Sequence, residues 1–336
     1  MRGEMNAVTL RSPGVWALTR ALAAAVAAFV CVIGLRAQTP AITVLPVQGT
    51  VSMITVSGMN VTVQIGKNGV LLVDSPPVDA VPAVMAEIRK LTDKPIRYIV
   101  NTSDDADHVG GNAAMVSAAV GREVRGAPMG ALTGLGATLG RPAIIAHTNV
   151  LGRMSKAVPA PPAAALPTTE YFQPSMDFFN GEAIVLSHHQ GHTDGDSLVF
   201  LRRSDVIVTG DLFTPGRYPS IDVARGGSVQ GLVRALTEIL ALAVPEAFAE
   251  GGTKMIPGHG RVAEETDVAE FRDMVVIVRD RVQDLLAKKM TLEQIKASKP
   301  SRDYDAEYSA SPADADRFVE SIYRSLTAAR PAGGKS

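Results

Sequence analysis

The stretch NTSDDADHVGGN, from Asn101 to Asn112, links two regular elements of the predicted fold. The apolar run before it, Ile96 to Val100, is typical of a β-strand, and the run after it, Ala113 to Val120, is typical of a helix. The strand end fixes such a turn, and the helix start offers free backbone N–H groups. Because the turn also carries three aspartates and a histidine, it is a candidate ligand platform.

Three later segments have the same character. Each is a glycine-flanked polar turn directly after an apolar run: GHTDGD at Gly191 to Asp196, TGDLF at Thr209 to Phe213, and IPGHG at Ile256 to Gly260. Imidazole and carboxylate groups are common ligands of divalent metal ions in proteins. The four segments therefore predict a metal site built from His108, His192, His259, Asp107 and Asp211.

In this order, the four segments resemble the metallo-β-lactamase superfamily of metal-dependent hydrolases. The signature of that family is His-x-His-x-Asp-His-x-Gly-Gly, followed by Gly-His-Thr-x-Gly, Gly-Asp and Gly-His-Gly. The resemblance spans roughly Val51 to Arg261, with one departure: Ser103 and Asp105 stand where the family has its first two histidines. It implies an α+β fold, the αββα sandwich, in which two mixed sheets lie face to face with helices outside.

The order of strand and helix patterns along the chain predicts the same sandwich. Asn68-Gly69 between apolar runs is a hairpin signal, so the start of the domain should be an antiparallel meander. Ser228 should cap a helix that ends near Leu242. Between Gly121 and Pro167, the Gly, Ala and Pro content predicts short helices and a proline-rich loop, with His147 as a surface or packing residue rather than a ligand.

The composition is globular, and the length suits one large domain or two small ones. Of 336 residues, 46% are hydrophobic and 20% are charged, and the net charge of -1 gives no electrostatic footprint for nucleic acid. Cys31 is the only cysteine, so the predicted domain has neither a disulfide nor a thiolate metal site. We predict a signal peptide at 1–37, a linker at 38–50, the main domain at 51–330 and a disordered tail at 331–336.

The export prediction rests on the N-terminus. Arginines precede an uninterrupted apolar run, Ala21 to Leu35, which is shorter than the roughly 20 residues that span a bilayer. Cleavage near Gln38 would give a periplasmic or secreted protein without membrane contact. A retained N-terminal anchor and a buried core helix are the alternatives for this run.

Residue by residue, the resemblance assigns the ligands to two metal ions. Asp107, His108 and His259 would hold one ion, with Asp211 bridging to the other. The expected cofactor is zinc, as one or two ions, with manganese or iron as alternatives.

The second ion would face Ser103, Asp105 and His192, where the family uses three imidazoles. Oxygen ligands favour harder ions than zinc and add negative charge, so we expect one tight metal ion and one weak or absent one. A metal-bound hydroxide would be the nucleophile, and Asp105 or Asp107 could orient it or accept its proton.

Two further residues are candidates for substrate binding. Arg217 follows the TGDLF turn and could grip an anionic group, although a salt-bridged loop arginine is the alternative. His189 stands close to the GHTDGD turn without belonging to it. The functional hypothesis is an exported hydrolase acting on a small ester, lactone, amide or thioester. The alternative is a catalytically weakened or inactive protein that binds a metal or ligand on the same fold.

Overall fold

The computed structural model describes residues 41–119, 141–248 and 251–328. The predicted signal peptide and the predicted tail both lie outside the described residues. Among the helices in these three ranges, none is long and apolar enough to cross a membrane.

The first sheet contains seven strands in the order β1 to β7, which is also their order along the chain. The pairs from β1 to β4 are antiparallel, and the pairs from β4 to β7 are parallel. The strands are β1 Ile42–Gln48, β2 Val51–Val56, β3 Met59–Gly66, β4 Gly69–Val73, β5 Ile96–Val100, β6 Ala143–His147 and β7 Thr169–Tyr171.

The second sheet has five strands in the order β12, β11, β10, β9, β8. Its β11 and β12 are parallel and its other pairs are antiparallel, so both sheets are mixed. The strands are β8 Ser175–Phe179, β9 Glu182–His189, β10 Asp196–Leu201, β11 Val206–Gly210 and β12 Lys254–Pro257.

The helices carry apolar faces that cover the outer faces of the two sheets. Ser228 caps α5 as predicted, since its side chain accepts the N–H of Gly231. The helices are α1 Val81–Leu91, α2 Ala106–Val109, α3 Asn112–Ala119, α4 Thr148–Met154, α5 Val229–Leu242, α6 Glu265–Ala287, α7 Leu292–Ala297, α8 Asp305–Tyr308 and α9 Pro312–Thr327, with 3₁₀ turns at Ala163–Ala165 and Val223–Arg225.

Three apolar clusters hold the layers together. The central cluster joins the facing sheets, with Val73 and Val100 on one side and Val208 and Ile256 on the other. A second cluster packs α1 and α3 on the first sheet, and a third packs α5, α6 and α9 on the second. The layers are therefore helix, sheet, sheet and helix, which confirms the predicted αββα sandwich.

Two predictions of local structure are wrong. Most of the predicted linker is β1, which pairs with β2 from Ile42 opposite Val56 to Gln48 opposite Val51. Pro46 suggested a linker, but a proline is tolerated on an edge strand, and β1 ends the sheet in the described structure. The second error is a missed strand in the predicted helical region 121–167, of which 121–140 lie outside the described residues: AIIAH forms the fully buried strand β6, while the predicted short helices are present at Thr148–Met154 and Ala163–Ala165.

Candidate metal centre

The four polar turns meet at one edge of the sandwich. The turn after β5, the β9–β10 turn, and the residues after β11 and β12 each contribute side chains to one cluster. In each of two groups the ligand atoms lie within 4.8 Å of one another, and both groups consist only of residues predicted as ligands. The groups are Asp107, His108 and His259, and Asp105, His192 and Asp211.

His108 is held by a carboxylate behind it. Its ring is fully buried, and Nδ1 lies 2.8 Å from Oδ2 of Asp74. Asp74 also accepts the N–H and the hydroxyl of Thr102, each at 2.7 Å. Because the carboxylate can only accept when ionised, it fixes the His108 proton on Nδ1 and turns Nε2 toward the cluster.

Backbone carbonyls hold the other two imidazoles in the same way. Nδ1 of His192 lies 2.9 Å from the carbonyl oxygen of Ser220, and Nδ1 of His259 lies 3.0 Å from that of Gly58. A carbonyl accepts and never donates, so both rings carry a proton on Nδ1. All three histidines therefore direct Nε2 toward the carboxylates.

The group of Asp107, His108 and His259, with Asp211 beside it, contains buried atoms without partners. In the described parts of the chain, three buried side-chain atoms lack a hydrogen bond, and two of them are Nε2 of His108 and Oδ1 of Asp211. Nε2 of His259 lies 3.1 Å from Oδ2 of Asp107 and 3.7 Å from Oδ1 of Asp211. Unpaired buried polar atoms are costly, and a cation bound between them would satisfy both.

The protonation of this group reflects its mixed charges. Burial alone would lower the pKa of His108, but the carboxylates of Asp74 and Asp211 raise it well above its ordinary value. Burial would raise the pKa of Asp211, and the surrounding imidazoles lower it instead. The hydrogen bond from His259 lowers the pKa of Asp107. Positive charge in the cluster therefore stabilises the ionised carboxylates.

Gly258 allows the close approach of β11 and β12 at this point. A Cβ at this position would lie 2.7 Å from Oδ1 of Asp211 and 2.7 Å from Cε1 of His108. Any larger residue would push into the space between two ligands. The glycine before His259 is therefore required by the packing of the centre.

The second group differs from the first because an arginine enters it. Oδ2 of Asp105 lies 2.5 Å from Nε2 of His192, and Oδ1 accepts a hydrogen bond from Nη1 of Arg225. Burial would raise the pKa of Asp105, but these two partners lower it well below its usual range. Conversely, burial would lower the pKa of His192, while the hydrogen bond to Asp105 raises it to about 9. Ser103 is buried, and its hydroxyl accepts the N–H of Asp105.

Residues 54–251 match the sequence profile of the Metallo-beta-lactamase superfamily. The chain belongs to this superfamily. The match covers more than half of the chain and includes both ligand groups except His259.

Solved structures of the superfamily share the fold at low sequence identity. A metallo-beta-lactamase from Pontibacter korlensis is 12% identical with a TM-score of 0.53, over 70% of this chain and 99% of that one. The DIM-1 metallo-beta-lactamase is 16% identical with a TM-score of 0.52, over 70% and 97% of the two chains. The inverting sec-alkylsulfatase Pisa1 from Pseudomonas sp. is 16% identical with a TM-score of 0.59, over 84% of this chain and 50% of that one. No curated protein matches the chain in sequence.

A divalent metal ion fits the group of Asp107, His108 and His259 together with Asp211. Two imidazole nitrogens and two carboxylates form a donor set that suits zinc and also harder ions such as manganese or iron. Asp211 lies between the two groups, as a bridging ligand would: its Oδ2 is 3.4 Å from Nε2 of His108 and 4.0 Å from that of His192. Metal ligation would therefore give a partner to both unpaired buried atoms, Nε2 of His108 and Oδ1 of Asp211.

The two candidates for substrate binding lie elsewhere. His189 is buried, and its ring contacts Ser187 and, at 3.7 Å, Glu238 on α5, so its contacts do not support the predicted substrate role. Arg217 is exposed and forms no ion pair with the described residues, contrary to the salt-bridged alternative. Arg217 lines a groove of 1170 Å³ between the 216–224 loop and α9.

His147 is a packing residue, which is one of the two roles expected for it. It is buried, it stacks on His188 with ring centroids 3.6 Å apart, and its Nδ1 accepts the N–H of Asn149 at the start of α4.

The sequence analysis did not identify the residues that contact the ligands or the acidic residues next to them. Asp74 had a weak signal, because it directly follows β4 as the other site residues follow their strands. Arg225 and Arg153 had none: Arg153 pairs with Asp104 and Asp194 across the mouth of the site, and each pairing joins distant parts of the sequence.

Proposed function

We propose that this chain is an exported metal-dependent hydrolase that cleaves a small ester, lactone, amide or thioester. One observation carries the proposal: three imidazoles have Nδ1 fixed by an acceptor, and each directs Nε2 into one cluster of carboxylates. A purely structural histidine would not need this arrangement three times at one edge of the fold.

The bound metal ion would lower the pKa of a water molecule and polarise the scissile carbonyl. His108, His259, Asp107 and Asp211 would hold this ion.

The proposal of export rests on the N-terminal composition alone. Sequencing the mature N-terminus tests it: a start near Gln38 is expected, and an intact Met1 would contradict cleavage.

Asp107 is better placed than Asp105 to accept a proton from the attacking water. Its side chain is 42% exposed at the mouth of the site, and its lowered pKa keeps it ionised at neutral pH. Both oxygens of Asp105 are engaged, one by His192 and one by Arg225. Asp105 therefore acts on the position of His192 rather than on the substrate.

The groove beside the site is where the rest of a substrate could lie. Ser220, which holds His192, and Asp222, which holds Arg225, both line it. Arg217 offers an unpaired guanidinium there, so we propose that an anionic group of the substrate binds it. The names of the structural neighbours add β-lactams and secondary alkyl sulfates to the compounds worth testing.

The second candidate function is a metal-binding protein without catalysis. The contact between Arg225 and Asp105 favours this second function. The arginine occupies a carboxylate in the half of the centre where Ser103 and Asp105 replace two histidines of the family.

Turnover by metal-free and reconstituted protein separates the two functions. Protein stripped with a chelator is reloaded with zinc, manganese or iron and assayed with esters, lactones, thioesters, β-lactams and a secondary alkyl sulfate. The hydrolase proposal predicts turnover that appears with metal and is lost in Asp211→Asn. Metal that raises the melting temperature without turnover of any compound would favour the binding protein.

A further inference from the structure

Arg225 is held in place by its own turn. It ends the 3₁₀ turn Val223–Arg225, and Asp222 caps this turn by accepting the N–H of Arg225 at 3.1 Å. The same carboxylate accepts Nε of Arg225 at 2.7 Å. The carbonyl of Arg225 in turn accepts the N–H of Asp194 at 3.0 Å, which joins it to the turn that carries His192. The guanidinium is therefore preorganised rather than placed by a flexible side chain.

This guanidinium points at the ligand group that departs from the family. Nη1 donates to Oδ1 of Asp105 and lies 3.7 Å from Oδ1 of Asp104, whose other partner is Arg153. Asp105 stands where the family has a histidine. A neutral imidazole in that position would give the guanidinium no partner, whereas a carboxylate gives it an ion pair. The histidine-to-aspartate change and the arginine therefore fit each other.

The carboxylate of Asp105 in this half already has a cationic partner without a metal ion. A divalent ion in this half would be bound by the carboxylates of Asp105 and Asp211. Arg225 contacts the carboxylate of Asp105 and neutralises its charge. A second cation would also have to approach a fixed positive charge, which like-charge repulsion opposes in a partly buried site.

We propose that Arg225 is the resident cation of the Asp105–His192 half, so that the centre consists of one divalent metal ion and one guanidinium. This inference rests on the proposed metal site. The metal ion would lie with Asp107, His108 and His259, and Asp211 would link the two halves.

Mutation of Arg225 distinguishes two roles for this residue, because they predict opposite changes in metal binding. If Arg225 instead orients Asp105 as a ligand for a second ion, removing the arginine should weaken metal binding. If it replaces that ion, removing it frees a carboxylate and should strengthen binding of a second equivalent by at least tenfold.

The experiment is equilibrium dialysis of the full chain against zinc and, separately, manganese, with bound metal counted by plasma emission. We expect one equivalent in wild type and in Arg225→Lys, which keeps the positive charge, and a second equivalent in Arg225→Met. Arg153→Met is the matched control, because Arg153 belongs to the same network and does not contact Asp105; its count should equal that of wild type.

The outcomes distinguish the inference from the proposed function. Two equivalents in wild type, or a count in folded Arg225→Met that is no higher than in wild type, would overturn the role of Arg225 and leave a metal-dependent hydrolase intact. No metal in folded wild type would overturn both. Since two equivalents in wild type would refute the inference by themselves, it remains falsifiable even if Arg225→Met fails to fold.

Discussion

Replacing Asp74 by asparagine should reverse the tautomer of His108. Asp74 is 1% exposed, and its Oδ2 accepts both Nδ1–H of His108 and the hydroxyl of Thr102. Oδ1 accepts the N–H of Thr102 and can do so equally as an amide oxygen. In Asp74→Asn the group at the Oδ2 position becomes an NH₂ donor, so His108 must accept with Nδ1 and carry its proton on Nε2. A protonated Nε2 cannot ligate a metal ion.

The expected magnitude follows from these contacts. Loss of the partner of a metal-binding histidine typically costs 10–100-fold in affinity, or about 1.4–2.7 kcal/mol. We expect the upper end, since the change inverts a hydrogen bond instead of merely deleting it. Metal-free protein should lose about 1.5–3 kcal/mol of stability for a charged hydrogen bond that becomes neutral. The backbone adds little, because asparagine tolerates the positive φ of 65° at this position as aspartate does.

Competition for zinc against a chromophoric chelator measures the affinity, and urea unfolding of the metal-free protein measures the stability. The matched control is Asp79→Asn, the same chemical change on an exposed aspartate of the loop that follows β4. An affinity within threefold of wild type in Asp74→Asn would refute the proposed tautomer control.

Three other predictions concern the second ligand group, the groove and a buried histidine pair. When Arg225→Met removes the guanidinium, the double change Ser103→His and Asp105→His should raise zinc stoichiometry toward two, since zinc prefers imidazole to hydroxyl; an unchanged count by plasma emission would contradict this. Arg217→Ala should raise KM for an anionic substrate about tenfold with metal content unchanged, and steady-state kinetics with a neutral analogue is the control. Burial lowers the pKa of His147 to about 4 and also lowers that of His188, so the unfolded chain binds more protons between pH 6.5 and 4. Stability should therefore fall as pH drops through that window, by up to about 1.4 kcal/mol per pH unit for His147, with His188 contributing in the same direction, and His147→Asn, which can still cap α4, should show a shallower slope in urea unfolding.

Local signals predicted the elements that carry the site. The strand Ile96–Val100 and the helix Val229–Leu242 have the predicted bounds, because each combines a clear apolar period with a turn or a cap at its end. The ligands were predictable for a related reason: each directly follows a strand. The strand Ala143–His147 was missed because five buried residues show no alternation, and the pattern of a short apolar run does not distinguish strand from helix.

The residues that tune the centre were not predictable from local pattern. His108 and Asp74 are 34 residues apart, and Arg225 and Asp105 are 120 apart. No period or motif connects such pairs, and only the closure of the sandwich brings them together. The departure at Asp105 was visible in the sequence, but its partner, and hence its physical reason, was not.

Retention of metal tests the account most directly. Wild-type protein is stripped with a chelator, reloaded with zinc or manganese and passed through gel filtration, and bound metal is counted by plasma emission. His259→Ala removes a ligand of the Asp107, His108 and His259 group, and His189→Ala removes a buried histidine outside it, with folding of each checked by circular dichroism. The account predicts one firmly held ion in wild type and in His189→Ala and none in His259→Ala. A wild type that retains no metal, or a His259→Ala variant that retains as much as wild type, would contradict it.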